Sequence, residues 1–179
     1  ILNYHVYSSG YDGVVDQTNP HNGVSGWQNT DSADINGTSM NDHYLYQASA
    51  GPNGNYVYTA GEDQTVRQID ASDGSSGWVY SGHSGSVFCV DAGPDGNFVY
   101  SGGSDNTVRK IDASDGSEAL KSTVPTGTVH GVAAKLDGYR FFAGGTDQKL
   151  RCLYDGDGEQ EWEFTCSDDV RAVVVGPND

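Results

Sequence analysis

Positive charge is what this chain lacks most. Nine Lys and Arg face 25 Asp and Glu, a formal net charge of −16, and lysine occurs only at Lys110, Lys121, Lys135 and Lys149. A field of that sign repels phosphate backbones and argues against a nucleic-acid partner. No apolar run approaches the roughly 20 residues that span a bilayer, so no membrane insertion is expected. No signal peptide is recognisable, and Ile1 is not an initiator methionine, so a processed or partial chain is expected. Cysteine is sparse: Cys89, Cys152 and Cys166 show neither CxxC spacing nor an even framework, which points to free thiols. Cys89, inside Val87-Phe88-Cys89-Val90, reads as a small buried hydrophobe.

Chemistry-bearing motifs are missing as well. The sequence holds no nucleophile elbow, phosphate loop, His-Glu-x-x-His or cysteine cluster. The five histidines (His5, His21, His43, His83, His130) lack paired metal spacing. Asp31-x-x-Asp34-x-Asn36-Gly37 and Asp155-Gly156-Asp157-Gly158 space oxygen ligands loosely like calcium loops. Neither supplies the terminal bidentate glutamate, and Asp-Gly is ordinary turn chemistry. No metal, no cofactor and no catalytic residue are expected.

What the chain does have is a repeat. Gly51-Pro52-Asn53-Gly54-Asn55-Tyr56-Val57-Tyr58 returns as Gly93-Pro94-Asp95-Gly96-Asn97-Phe98-Val99-Tyr100. A weaker copy, Lys135-Leu136-Asp137-Gly138-Tyr139-Arg140-Phe141-Phe142, follows at the same interval. A period near forty with short strand-like runs is the signature of β-propeller blades. Turn units recur at Gly10-Tyr11-Asp12-Gly13, Gly61-Glu62-Asp63-Gln64, Gly103-Ser104-Asp105-Asn106 and Gly145-Thr146-Asp147-Gln148. Asp and Asn tolerate left-handed backbone and cap their own turns, so these predict hairpins, with Asp12, Asp63, Asp105 and Asp147 in structural roles. The apolar runs are continuous rather than alternating, as expected of strands packed on both faces. Arg67, Arg109 and Arg151 each follow the turn Asp by four residues. That spacing suits structural ion pairs across the hairpins, with an anion-binding ring as the alternative.

A second element places Gly four residues after Asp or Asn and Trp four further on: Asn19…Gly23…Trp27, Asp70…Gly74…Trp78, and Tyr154…Gly158…Trp162, where the Asp is lost. Asp112…Gly116…Leu120 keeps Asp and Gly but replaces Trp. One large aromatic per unit can bury on the order of 150–250 Å² between consecutive blades, so Trp27, Trp78 and Trp162 are read as packing residues. Trp78 is expected to be buried and the Leu120 position less tightly filled.

Gly82-His83-Ser84-Gly85-Ser86-Val87, then Gly93-Pro94-Asp95-Gly96, then Ser101-Gly102-Gly103-Ser104-Asp105-Asn106-Thr107-Val108-Arg109 resembles a WD-repeat blade. Ile69-Asp70 and Ile111-Asp112 stand where the terminal Trp-Asp would. The Asp-x3-Gly-x3-Trp element is similar to the Trp-docking repeat of quinoprotein-type propellers. The resemblance implies an all-β propeller of about four four-stranded antiparallel blades. It also implies a structural, hydrogen-bonded role for His83. It carries no activity, because such repeats host many functions.

Blade units are expected near 1–43, 44–86, 87–128 and 129–169, with 170–179 starting or completing another. An inner strand over 170–175 and the matching second strand at the start would together complete one blade. Both a closed four-bladed ring and part of a seven- or eight-bladed propeller fit this phase. The first interval is irregular: Trp27 to Gly51 spans 24 positions where Trp78 to Gly93 spans 15, so nine residues are inserted within 28–43. Insertions in repeat proteins map to loops on one face, often the binding face, though a tolerated surface loop costs little closure entropy.

The composition resembles that of proteins from high-salt organisms; an ordinary acidic secreted or virion protein is the other reading. The functional expectation is a non-catalytic binding or structural module, extracellular or on a virion surface. It would take a protein or cell-surface partner, or other subunits of a larger assembly, through Asp31, Asp34, Ile35, Asn36, Met40 and His43. The alternative is a partial propeller of a quinoprotein-like or hydrolytic enzyme whose active site lies outside the chain.

Overall fold

The computed structural model describes residues 6–9, 15–18, 25–29, 44–135 and 137–176. Every regular element among them is a strand. Three four-stranded antiparallel sheets follow one another along the chain, each a simple up-and-down meander. Sheet B holds β4 (Leu45–Ala50), β5 (Tyr56–Gly61), β6 (Val66–Asp70) and β7 (Ser76–Tyr80). Sheet C repeats it with β8 (Val87–Ala92), β9 (Phe98–Gly103), β10 (Val108–Asp112) and β11 (Glu118–Ser122). Sheet D does so again with β12 (Val129–Ala134), β13 (Arg140–Gly145), β14 (Lys149–Tyr154) and β15 (Gln160–Thr165). Sheet A contributes three strands, β1 (Val6–Ser9), β2 (Val15–Thr18) and β3 (Ser25–Asn29). The sheets are arranged as propeller blades, and among the described residues they do not close into a ring.

The continuous apolar runs follow from burial on both faces. One core layer fills the space between sheets B and C, where Tyr58, Ala60, Val66 and Tyr80 meet Val87, Val90, Val99 and Ile111. The next layer lies between C and D, where Cys89, Tyr100 and Val108 meet Val129, Val132, Phe141 and Leu153. A strand such as β9 therefore sends alternate residues into two different layers, both dry, and period-2 polarity disappears. Leu45, Val57, Ile69 and Ala71 form a third layer on the far face of sheet B.

Among the described residues, hairpins turn where the sequence predicts them. The left-handed residue, however, is Gln64, Asn106 or Gln148, with φ of 70°, 60° and 61°, and not the preceding aspartate. The aspartate instead supplies the acceptor, as Asp63 and Asp105 do for the amides of Thr65 and Thr107. Residues 170–175, expected as an inner strand, run against sheet D. Val170 donates to the Gly145 carbonyl at 3.0 Å and lies over Gly144 as Val129 lies over Gly102. Among the described residues this segment joins no ladder.

Candidate interaction surface

Consecutive blades are fastened at three depths. At the outer edge, the Trp78 indole leaves sheet B, donates its Nε1–H to the Ala113 carbonyl at 3.0 Å and lies against Gly116. A Cβ at Gly116 would fall 2.8 Å from the Trp78 ring, and φ there is +76°, so this glycine both makes its own turn and leaves room for the neighbour's indole. Leu120 approaches Gly158 in the same way. Trp78 also stacks on Tyr58 at 5.7 Å and is half-buried. Trp162 is 43% exposed and meets the Phe142 ring at 5.9 Å.

In mid-blade, Lys110 reaches from sheet C to Asp155 of sheet D at 2.5 Å, beneath the Phe98 ring, and Tyr100 donates to the same carboxylate. The corresponding positions between sheets B and C are Gln68 and Ala113, where the Gln68 amide donates to the Ala113 carbonyl at 2.8 Å. An open groove of about 590 Å³ beside it is lined by Tyr56, Tyr58, Phe98 and Pro52.

At the inner edge, side chains cap the unpaired amides of the next inner strand. Gln47 Oε1 accepts from Val90, Ser49 Oγ from Ala92, and Asp91 Oδ2 from Ala134, at 3.1, 3.2 and 2.9 Å. Free strand edges are thereby covered. Burial pushes the Asp91 carboxyl up, against hydrogen bonds from Ala134 and Ser49 that favour the anion.

The turn aspartates carry buried polar networks. Asp63, Asp105 and Asp147 pair with Arg67, Arg109 and Arg151 at 3.0, 3.6 and 2.7 Å, all largely out of water. Thr65 and Thr107 also accept the guanidinium Nε–H. Lys149 takes the threonine's place in sheet D. Arg151 Nε is left there without a hydrogen-bond partner among the described residues, with the Glu163 carboxylate 3.7 Å away. The His83 side chain is fully buried: Nδ1 faces Asp105 at 3.0 Å and Nε2 meets the Ser101 hydroxyl at 2.8 Å. Burial would raise the Asp105 carboxyl, but His83, the Ser84 amide and Thr107 hold it well below the carboxylate range. Glu118 accepts from Arg109 at 2.5 Å and from the Tyr80 hydroxyl, tying sheet C back to sheet B.

A further arrangement repeats along the inner strands. In each of sheets B, C and D the inner strand carries a β-bulge against its neighbour: Leu45 and Gln47 pair with Gly61 and Ala60, Val87 and Cys89 with Gly103 and Gly102, Val129 and Gly131 with Gly145 and Gly144. The extra residues are Tyr46, Phe88 and His130, one repeat apart from blade to blade. A bulge lifts its residue out of the pleat and re-aims the side chain. Here the three rings meet across blade boundaries, Tyr46 to Phe88 at 4.6 Å and Phe88 to His130 at 4.9 Å, tilted by 51° and 49°. They form a continuous aromatic row over three blades, with Tyr46 40% exposed and its companions partly so.

Of the side chains singled out in the sequence, Asp31, Asp34, Ile35, Asn36, Met40, His43 and Asp12 lie outside the described residues. For Trp27 only the place in β3 is described. The aromatic row went unnoticed in the sequence, although its regular spacing was there to be found. Among the described residues no three His, Cys, Asp or Glu side chains gather in a metal-binding group.

A family model described as WD domain, G-beta repeat matches residues 37–70 and 74–112. The second match runs from the turn before β7 through β10, so it takes in the outer strand of sheet B and three strands of sheet C. With the repeated sheets, these matches fit a WD-repeat β-propeller-like fold. Repeats of this kind indicate a protein-interaction module and are typically non-catalytic scaffolds. No curated protein matches the chain.

Proposed function

We propose that this chain is a non-catalytic binding module that meets its partner on the face carrying Tyr46, Phe88 and His130. The observation that carries this reading is the aromatic row itself. Three bulges place rings partly in solvent at one repeated position, each next to a buried residue, Leu45, Val87 or Val129. Aromatic side chains with part of their surface in water are the usual anchors of protein interfaces. The blades beneath are fixed by ion pairs, indole docking and edge caps, so the row sits on a rigid platform. The segment 28–43 is the second contact surface in this reading, supported by the break in the repeat period. An extracellular or virion-surface setting remains part of it, testable by fractionating the source material.

The test is proximity labelling with the wild-type chain and a Tyr46→Ser/Phe88→Ser/His130→Ser variant in the source organism. A partner set that labels the wild type and is lost from the variant, at unchanged melting temperature, supports the reading. The same set on both proteins places the contact surface elsewhere.

A further inference from the structure

We infer that the partner presents a basic peptide segment whose lysine or arginine side chains lie over the rings of Tyr46, Phe88 and His130. This rests on the reading of the row as the contact surface and names the chemistry it selects.

The Tyr46 and Phe88 rings offer π faces, and such a face attracts a cation through its quadrupole. The rings are tilted by about half a right angle and do not form a parallel stack. The surroundings favour the same charge. At the Tyr46 end, Glu62 is tied to the residue just before β4, its amide donating to the Tyr44 carbonyl and its carboxylate accepting the Tyr44 amide at 3.3 Å. At the His130 end, Val170 bonds to Gly145, the residue opposite Val129, and Asp168 and Asp169 precede it directly. Arg171, exposed and directly after Val170, is the opposing charge in this segment, and two carboxylates stand before it. Arg67, Arg109 and Arg151 are buried against their aspartates and offer an anion nothing. With a net charge of −16 behind the row, an acidic segment is repelled and a basic one is drawn in.

A random peptide display library panned on the protein at physiological salt decides the matter. Peptides carrying Lys or Arg should be enriched. Replacing that residue by citrulline or norleucine in the best peptide should weaken binding about tenfold or more, the scale of one desolvated cation–π contact. Phe88→Leu keeps an apolar side chain of similar reach and should weaken the basic peptide to a similar degree. If the selected peptides are uncharged or acidic yet lose affinity on the serine-substituted row, the surface stands and the basic partner is wrong. If basic peptides bind the substituted row as tightly as the wild type, the attraction is general to the acidic protein, and both the inference and the surface reading fall. A library that yields no enriched sequence overturns the inference.

Discussion

Asp91 of one blade accepts the backbone N–H of Ala134 in the next at 2.9 Å, and it does so from a site where burial raises its own carboxyl pKa. A carboxyl with a raised folded pKa binds its proton more tightly in the native state than in the unfolded one. Its contribution to stability is therefore greatest in acid and is lost as pH rises from the unfolded carboxylate range through the folded pKa. Asp91→Asn keeps an acceptor for Ala134 and removes the titration. Urea midpoints measured across the acid range should show the wild type falling relative to the variant as pH rises. A difference that is constant with pH would mean Asp91 is not held in a disfavoured charge state.

Asp105 has the opposite sign. His83, the Ser84 amide and Thr107 overcome the effect of burial and hold its folded pKa below the unfolded value. The stability this supplies is present above the ordinary carboxylate range and disappears as pH falls through the folded pKa. His83→Ala should remove both ring hydrogen bonds, strand the Ser101 hydroxyl and cost about 3 kcal/mol at neutral pH. A loss below about 1 kcal/mol would mean that the imidazole is not integral to the blade.

The Trp78 indole joins two blades while keeping part of its surface in water. Trp78→Ala should cost about 2–3 kcal/mol, less than the roughly 3–5 kcal/mol typical of a fully buried tryptophan. Gly116→Ala attacks the same contact from the other side, adding left-handed strain to a clash with the ring, and should destabilise by at least about 2 kcal/mol. Equal, near-zero effects in chemical denaturation would remove indole docking as a joint between blades.

Self-repulsion at a net charge of −16 should make the fold salt-dependent. The denaturation midpoint is expected to rise between dilute buffer and molar potassium chloride, because surface carboxylates are screened while the buried Arg–Asp pairs are not. A flat response would mark an ordinary acidic protein. Sulfate is unsuitable, since it strengthens apolar burial in any fold.

Removing the nine inserted residues from 28–43 should leave the cooperative melting of sheets B, C and D essentially unchanged, because the described members of their core layers all follow that segment in the chain. Loss of the cooperative transition would show that the insertion is structural.

The period, the hairpins and the strand runs were legible because each blade solves the same two problems with the same residue types: how to turn, and how to fill two dry layers. Asp63, Asp105 and Asp147 could be read as turn residues for that reason. The joints between blades were harder to read. Lys110 and Asp155 meet only where two copies depart from the repeat, replacing Gln68 and Ala113, and departures look like noise to a reading based on likeness. The aromatic row escaped for a different reason. A bulge is a property of pairing between strands, and Tyr46, Phe88 and His130 share a position but not a residue type.

The seating of Trp78 against Gly116, and of Leu120 against Gly158, gives a repeat both a plug and a socket. The plug belongs to one copy and the socket to the next, so neither half is complete within a single unit. Outside its loops such a chain lengthens or shortens cleanly in whole periods, cut at any phase, since a whole-period change returns each plug to a glycine. A change of any other length within the strands and turns of a unit, as opposed to a loop such as 28–43, faces a bulky plug with a side chain where it needs a gap. The arrangement that holds neighbouring blades together thus also fixes the step by which a protein of this kind can grow.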